Sequence, residues 1–243
     1  MDYALVTGST SGIGLAIAET LINDNCYVLL NYFNNQKKTD DVRKQFAKHS
    51  GKFDFIRADL SDYSGIENII TSIQERGFFI KYLVLNFGMT DRTIFGKITP
   101  ENWERIIRAN INIPFFMIQK LYSAGLLTKN ASILCVSSLM ASIPHAVSVS
   151  YGVSKAALSA LPGNLAKYLS SMSIRINAVE PGFVNTQWQK DKLPNQRAYI
   201  EDKILLGRMG ESSEIAQMCL AMLKNTYLTG SVIKISGGYG IKK

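Results

Sequence analysis

A doubly wound α/β fold, a parallel sheet of about seven strands with helices on both faces, is what this chain predicts. Three observations carry it. Short apolar runs rich in β-branched residues recur from end to end of the 243 residues. Longer stretches with helical spacing separate them, and the runs are apolar on both faces, as strands of a covered parallel sheet are.

The first strand is YALVTG at 3–8, and LAIAETLIND follows it, with Leu15, Ala18, Leu21 and Ile22 on one helical face. YVLLNY (27–32) and FDFIRADL (53–60) are the next two strands, and IENIITSIQERG is again helical in spacing. YLVLNFG (82–88), SILCVSS (132–138), IRINAVEPG (174–182) and VIKISGG (232–238) complete the set. One stretch, 183–210, has no clear period and is polar; such an excursion from a compact α/β unit is either a functional lid or disorder, and it is taken as a substrate lid. No linker, repeat or charge block divides the chain, so 1–243 is read as a single domain.

Composition narrows the function. No apolar run approaches the roughly 20 residues of a membrane span, so no membrane partner is expected. The first strand begins at Tyr3, which leaves no room for a signal peptide. Cys26, Cys135 and Cys219 are widely spaced, without a metal-ligand pattern, and read as reduced thiols of a cytoplasmic protein with no metal site. The net charge of +8 points to something acidic, either a protein partner or an anionic cofactor, or simply to a solvated surface. Its basic residues are scattered in pairs such as Lys37-Lys38 and Lys242-Lys243, and no basic helix with interleaved aromatics appears, so nucleic acid is not expected.

TGSTSGIG, Thr7 to Gly14, joins the first strand to the first helix. Gly8, Gly12 and Gly14 let the backbone of Ser9, Thr10, Ser11 and Ile13 approach a pyrophosphate at the helix N-terminus, as in a Rossmann fold. The spacing is Gly8-x-x-x-Gly12-x-Gly14 rather than G-x-G-x-x-G. An NAD site carries an acid at the end of the second strand. Here Asn31, Tyr32, Phe33 and Asn34 stand there, and Lys37 and Lys38 follow, which favours NADP(H).

SVSYGVSK, 148–155, places Tyr151 and Lys155 one helical turn apart, with Ser137 and Ser138 upstream. In order and spacing the motifs resemble the classical short-chain dehydrogenase/reductases, and among them the 3-oxoacyl-[acyl-carrier-protein] reductases, from Tyr3 to about Gly238. They are TGxxxGIG at 7–14, Asp59-Leu60, the turn at Asn86–Gly88, Asn110, Ser138, the Tyr151/Lys155 pair and EPGFVNT at 180–186. GMTDRTIFG (88–96) and GRMGESSEIA add to the likeness.

The resemblance implies NADPH-dependent reduction of a 3-oxoacyl thioester in fatty-acid or related synthesis. Tyr151 would be the acid, Lys155 would lower its pKa and hold the ribose, Ser138 would bind the substrate oxygen, and Asn110 would anchor a water chain. Asp59 and Leu60 would lie beside the adenine, Asn86 and Gly88 beside the adenosine ribose, and Val184 and Thr186, after Pro181-Gly182, at the carboxamide. For Asp59 a capping role competes. A homotetramer or dimer is implied as well.

Three features depart from the pattern. Phe87 replaces a small residue and turns either into the cofactor channel or into the core. Pro162 and Gly163 fall inside the helix that carries Tyr151, where proline predicts a kink. Of two basic carrier-docking positions, Lys129 matches one; the other is Met172, with Arg175 nearby. A reductase or dehydrogenase of another ketone or secondary alcohol, and a non-catalytic NADP(H)-binding protein, stay open beside the main reading. Pocket depth turns on 183–210 and on Met140, His145 and Trp188.

Overall fold

The computed structural model describes residues 1–144 and 148–241; His145 lies outside the described residues. Its strands are β1 (Tyr3–Val6), β2 (Tyr27–Tyr32), β3 (Phe53–Arg57), β4 (Ile80–Leu85), β5 (Leu127–Val136), β6 (Arg175–Pro181) and β7 (Val232–Ile235). All pair in parallel, in the order β3-β2-β1-β4-β5-β6-β7. The helices are α1 (Gly12–Asn23), α2 (Gln36–Gln45), α3 (Ser64–Glu75), α4 (Pro100–Ile107), α5 (Ile113–Ser123), α6 (Val149–Leu169), α7 (Pro194–Asp202) and α8 (Ser212–Lys224).

Period-two alternation divides the strand residues between two cores. Leu5, Leu29, Leu83, Ile133 and Ala178 face α3, α5 and α6. Their neighbours Val6, Val28, Val84, Leu134 and Val179 face α1 and α8. The doubly wound expectation holds, and β7 is the exposed edge. β5 begins five residues before the expected run, because a register shift opposite Ile80–Tyr82 absorbs residues 128–131, with Asn130 at φ 65°.

From β1 the chain steps outward to β3 and then returns to β4 on the other side of β1. The reversal leaves a crevice at the carboxyl ends of β1 and β4, where ligands of such sheets sit. α6 continues through buried Pro162 to Leu169; proline removes one backbone donor but does not end the helix, whose Leu158 and Leu169 hold it on the sheet. Phe87 packs against the core on the α3/α5 side, with its backbone against Gly8, and also lines the crevice.

Candidate active site

The glycine loop is shaped by its neighbours. Gly8 and Gly12 take φ of +60° and +56°, a region that favours glycine. A Cβ on Gly12 would meet nothing nearer than Thr186, in ordinary contact at 3.5 Å. Ser11, at the start of α1, does not cap the helix with its side chain, and the first turn carries no acid. Unused backbone N–H groups therefore face the crevice, a cradle suited to a phosphate.

Asn86 knits this loop to β4. Its amide nitrogen donates to the Thr7 and Gly8 carbonyls at 3.0 and 3.1 Å, and its backbone N–H donates to Thr7 Oγ1 at 2.9 Å. Asn31 does similar work from β2. Buried, it accepts from the Gly8 N–H at 3.1 Å and donates to the Ala58 carbonyl at 3.0 Å. A neutral amide can make both bonds; a carboxylate could not donate.

Tyr151 and Lys155 project from one face of α6 into the same crevice, Lys155 buried and Tyr151 9% exposed. Ser138 ends β5 and begins a single turn, Leu139–Ala141, where its Oγ accepts from the Met140 N–H at 3.2 Å. Its hydroxyl stands beside the Tyr151 phenol in the same cavity. Lys155 Nζ donates to the Val136 carbonyl at 2.8 Å and lies 5.7 Å from the Tyr151 ring centre.

Burial decides the protonation. It pushes the Tyr151 phenol up to about 12, with the Ser138 hydroxyl opposing. It pushes the Lys155 ammonium down to about 8. In these residues alone burial is the larger influence on Tyr151, and Lys155 Nζ donates to the Val136 carbonyl, so a lowering by Lys155 does not offset desolvation. Tyr151 is kept as a neutral acid.

Asn110 sits in a π-helical turn, Arg108–Asn112, between α4 and α5. Its side chain accepts from the Met89 N–H (2.7 Å) and donates to the Met89 carbonyl (2.8 Å) and Ser154 Oγ (2.9 Å). It thus fixes the loop after β4 against α6. A Cβ on Gly88 would lie 3.1 Å from Asn110 Oδ1 and 3.3 Å from Lys155 Nζ, so the turn passes close over both.

Most of the expected residues line one cavity of about 530 Å³: Gly8, Thr10, Ser11, Gly12, Ile13, Asn31, Asn86, Gly88, Ser138, Tyr151, Lys155, Pro181, Gly182, Val184 and Thr186. Ser9, Gly14, Asp59, Leu60 and Asn110 do not. Ser9 is buried under Asn31, Gly14 under Asn86, and Leu60 points into the core, while Ala58 reaches the cavity instead. Asp59 accepts from the Ser61 N–H and Oγ at 2.9 and 2.7 Å, which closes a turn ahead of α3 rather than capping that helix, whose N-terminal flanking residue is Tyr63.

Lys129 and Arg175 lie in the first halves of β5 and β6, away from the carboxyl-end crevice, and the Arg175 guanidinium is spent on the Met222, Leu223 and Leu228 carbonyls.

Residues 183–210 are folded across the cavity. Asn185 N–H donates to the Gly210 carbonyl (2.8 Å) and Gly210 N–H to the Phe183 carbonyl (2.9 Å), which pins both ends together. Ile200, Ile204 and Met209 form a small core of their own with Phe183 and Tyr239. Trp188 lies over Tyr151, ring centres 5.9 Å apart. Periodicity could not place Tyr239, Lys192 or Arg92 in the cavity, since each arrives by a loop. Among its described lining residues are four cations, Lys38, Arg92, Lys155 and Lys192, and no carboxylate.

A family model described as enoyl-(acyl carrier protein) reductase matches residues 8–240. The chain is 30% identical over 237 residues to a 3-oxoacyl-[acyl-carrier-protein] reductase of Thermotoga maritima, covering 96% of both chains. It is also 30% identical over 241 residues to an L-rhamnose 1-dehydrogenase (NADP(+)) of Thermoplasma acidophilum, covering 97% of this chain and 94% of that one. A solved angucycline C-6 ketoreductase with bound NADP matches with a TM-score of 0.91 at 27% identity, over 99% of this chain and 96% of the other. With the glycine loop, the crevice and the serine–tyrosine–lysine cluster in one place, these matches make the conclusion plain: the chain belongs to the short-chain dehydrogenase/reductase family of oxidoreductases.

Proposed function

We propose that the protein is an NADPH-dependent reductase that converts a 3-oxoacyl thioester, carried by an acyl carrier protein, to the 3-hydroxyacyl thioester. The observation that carries this reading is the contact of two hydroxyls, Ser138 and Tyr151, above buried Lys155 in the cavity that the glycine loop opens onto. The residues fit a dinucleotide: free N–H groups at the start of α1 take the pyrophosphate, and Gly182, Val184 and Thr186 face them. When bound, the dihydronicotinamide supplies the hydride.

Ser138 Oγ–H holds the 3-oxo oxygen. As the carbonyl carbon is reduced, the C=O π pair moves onto that oxygen, which takes the proton of Tyr151 Oη. Lys155, as an ammonium, stabilises the tyrosinate left behind. Asn110 keeps the Met89 loop and α6 in register around the cluster. The lid excludes water from the reacting atoms.

A tyrosine held protonated up to about 12 suits reduction, and Lys155 sets the limit. Its ammonium is present below about 8 and is lost above it. The pH profile of kcat for reduction is expected to fall as pH rises through that value. A profile flat from pH of about 6 to about 10 would remove Lys155 from the chemistry.

The NADP(H) preference is supported by the cavity's lack of carboxylates and by Lys38, whose Nζ reaches the cavity and donates to Gln187 Oε1 at 3.2 Å. Consumption of NADPH and, separately, NADH with acetoacetyl thioester tests both halves of the reading. NADPH preferred is the expected result, and Lys38→Ala is expected to raise the KM for NADPH about 10-fold while leaving that for NADH unchanged. Equal use of both cofactors would overturn the cofactor assignment. Because relatives include a sugar dehydrogenase and a polycyclic ketoreductase, L-rhamnose and an angucycline ketone belong in the same panel.

A further inference from the structure

The cavity holds more positive charge than the reaction uses. Lys38 and Lys155 have roles above; Arg92 and Lys192 have none. Arg92 comes from the loop after β4. Ser148, just before α6, donates to the Asp91 carbonyl at 2.8 Å, and its hydroxyl lies 3.3 Å from that of Thr90. Those bonds tether Arg92 on the Tyr151 side of the cavity. Lys192 comes from the lid, four residues after the Trp188 that overlies Tyr151. Both cations line the cavity, Arg92 exposed and Lys192 half-buried.

Neither makes an ion pair or a side-chain hydrogen bond among the described residues. The carboxylate beside Arg92 is engaged elsewhere, since Asp91 accepts from Thr93 Oγ1 and N–H at 2.6 and 3.0 Å. The Lys192 ammonium is pushed down by burial and then by the Arg92 charge. Two cations converging in a partly desolvated mouth are unfavourable alone and favourable around a shared anion. The same cavity wall carries the apolar side chains of Met140, Ile143, Pro144 and Ile200.

We propose that Arg92 and Lys192 are the anion-recognising mouth of the substrate site: they grip an anionic oxygen group of the substrate while its ketone lies at Ser138 and Tyr151. The group is a phosphate on the pantetheine arm or a carboxylate at the far end of the acyl chain. The inference rests on the thioester reading of the site.

Three substrates separate the possibilities: acetoacetyl-N-acetylcysteamine, which is neutral; acetoacetyl-4′-phosphopantetheine; and 3-oxoadipyl-N-acetylcysteamine, which carries a terminal carboxylate. The wild-type protein is expected to favour one anionic substrate over the neutral one by about 10-fold or more in kcat/KM, mostly through KM. Which of the two is favoured names the source of the anion. The double variant Arg92→Ala/Lys192→Ala is expected to lose that preference and to keep kcat/KM for the neutral thioester within about 2-fold, and added salt is expected to have the same effect on the wild type. No preference in the wild type, or an equal loss on all three substrates, would overturn the proposal.

If no thioester is turned over, the parent reading fails on its own. The mouth is then judged by calorimetric binding of 4′-phosphopantetheine and of adipate. About 5-fold or more weaker binding of either in the double variant supports the anion site, and unchanged or absent binding of both overturns it.

Discussion

Tyr151→Phe is expected to lower kcat for ketone reduction by about 10³-fold and to leave the fold and dinucleotide binding in place. The substitution removes one oxygen and its proton. The ring survives, with its contacts to Trp188 and to the Lys155 ammonium, centred 5.9 and 5.7 Å away. What is lost is the approach of the phenol to Ser138, whose hydroxyl can still accept from the Met140 N–H. A drop in kcat with unchanged affinity for NADP(H), read by fluorescence quenching or calorimetry, locates the loss in proton transfer. Retained turnover would mean that another proton donor of the cavity, such as Tyr239 or the Lys155 ammonium, supplies the proton.

The largest structural effect is expected at Gly14. A Cβ there would lie 2.4 Å from Asn86 Nδ2 and 2.5 Å from the Gly8 carbonyl oxygen, inside the range where something must move. The Gly8 carbonyl is backbone, held in a turn at φ +60°, so the Asn86 side chain must yield. Asn86 then loses the two bonds that join the loop after β1 to the loop after β4. Overpacking of about 1–3 kcal/mol, with roughly 1 kcal/mol for each bond lost, makes a destabilisation of about 3–5 kcal/mol for Gly14→Ala. In a chain of this size that is a Tm lower by about 6–20 °C. Dinucleotide affinity falls with it, because the N–H groups at the start of α1 no longer converge. Gly12→Ala is the contrast, with an ordinary contact to Thr186 at 3.5 Å and only the cost of φ +56°, about 1 kcal/mol. If the two variants melted together, the packing account of the loop would be wrong.

The strands and the cluster were legible because they are written locally. Apolar runs mark each strand, and Tyr151 and Lys155 share a helix face by spacing alone. What was not legible arises between distant segments. Asn31 is the plain case: its position suggests a cofactor contact, yet its side chain is largely taken up by Gly8 and Ala58, bonds that exist only once β1, β2 and β3 are side by side. Protonation is another, since the spacing of Tyr151 and Lys155 implies mutual tuning while the depth of the cavity sets both pKa values. The basic docking positions failed for the same reason. Arg175 looks free in sequence and is consumed by carbonyls at the end of α8 and just beyond it, whereas Arg92 and Lys192, 100 residues apart, line the same cavity. Pro162, which breaks the family pattern, is absorbed by a helix held on the sheet, while Phe87 packs against the core and still lines the cavity beside Asn86 and Gly88.

Two reductions of acyl thioesters meet in the family match, one of a carbon–carbon double bond and one of a ketone. The paired hydroxyls of Ser138 and Tyr151 suit a ketone, whose oxygen needs both a hydrogen bond and a proton. The most direct measurement is therefore NADPH oxidation by the wild-type protein with acetoacetyl thioester and crotonyl thioester side by side, with the products identified. Conversion of the acetoacetyl thioester to 3-hydroxybutyryl thioester, with the crotonyl thioester untouched, is the result predicted here. Reduction of the crotonyl thioester alone, or in preference, would contradict the assignment of Tyr151 as the acid for a 3-oxo oxygen.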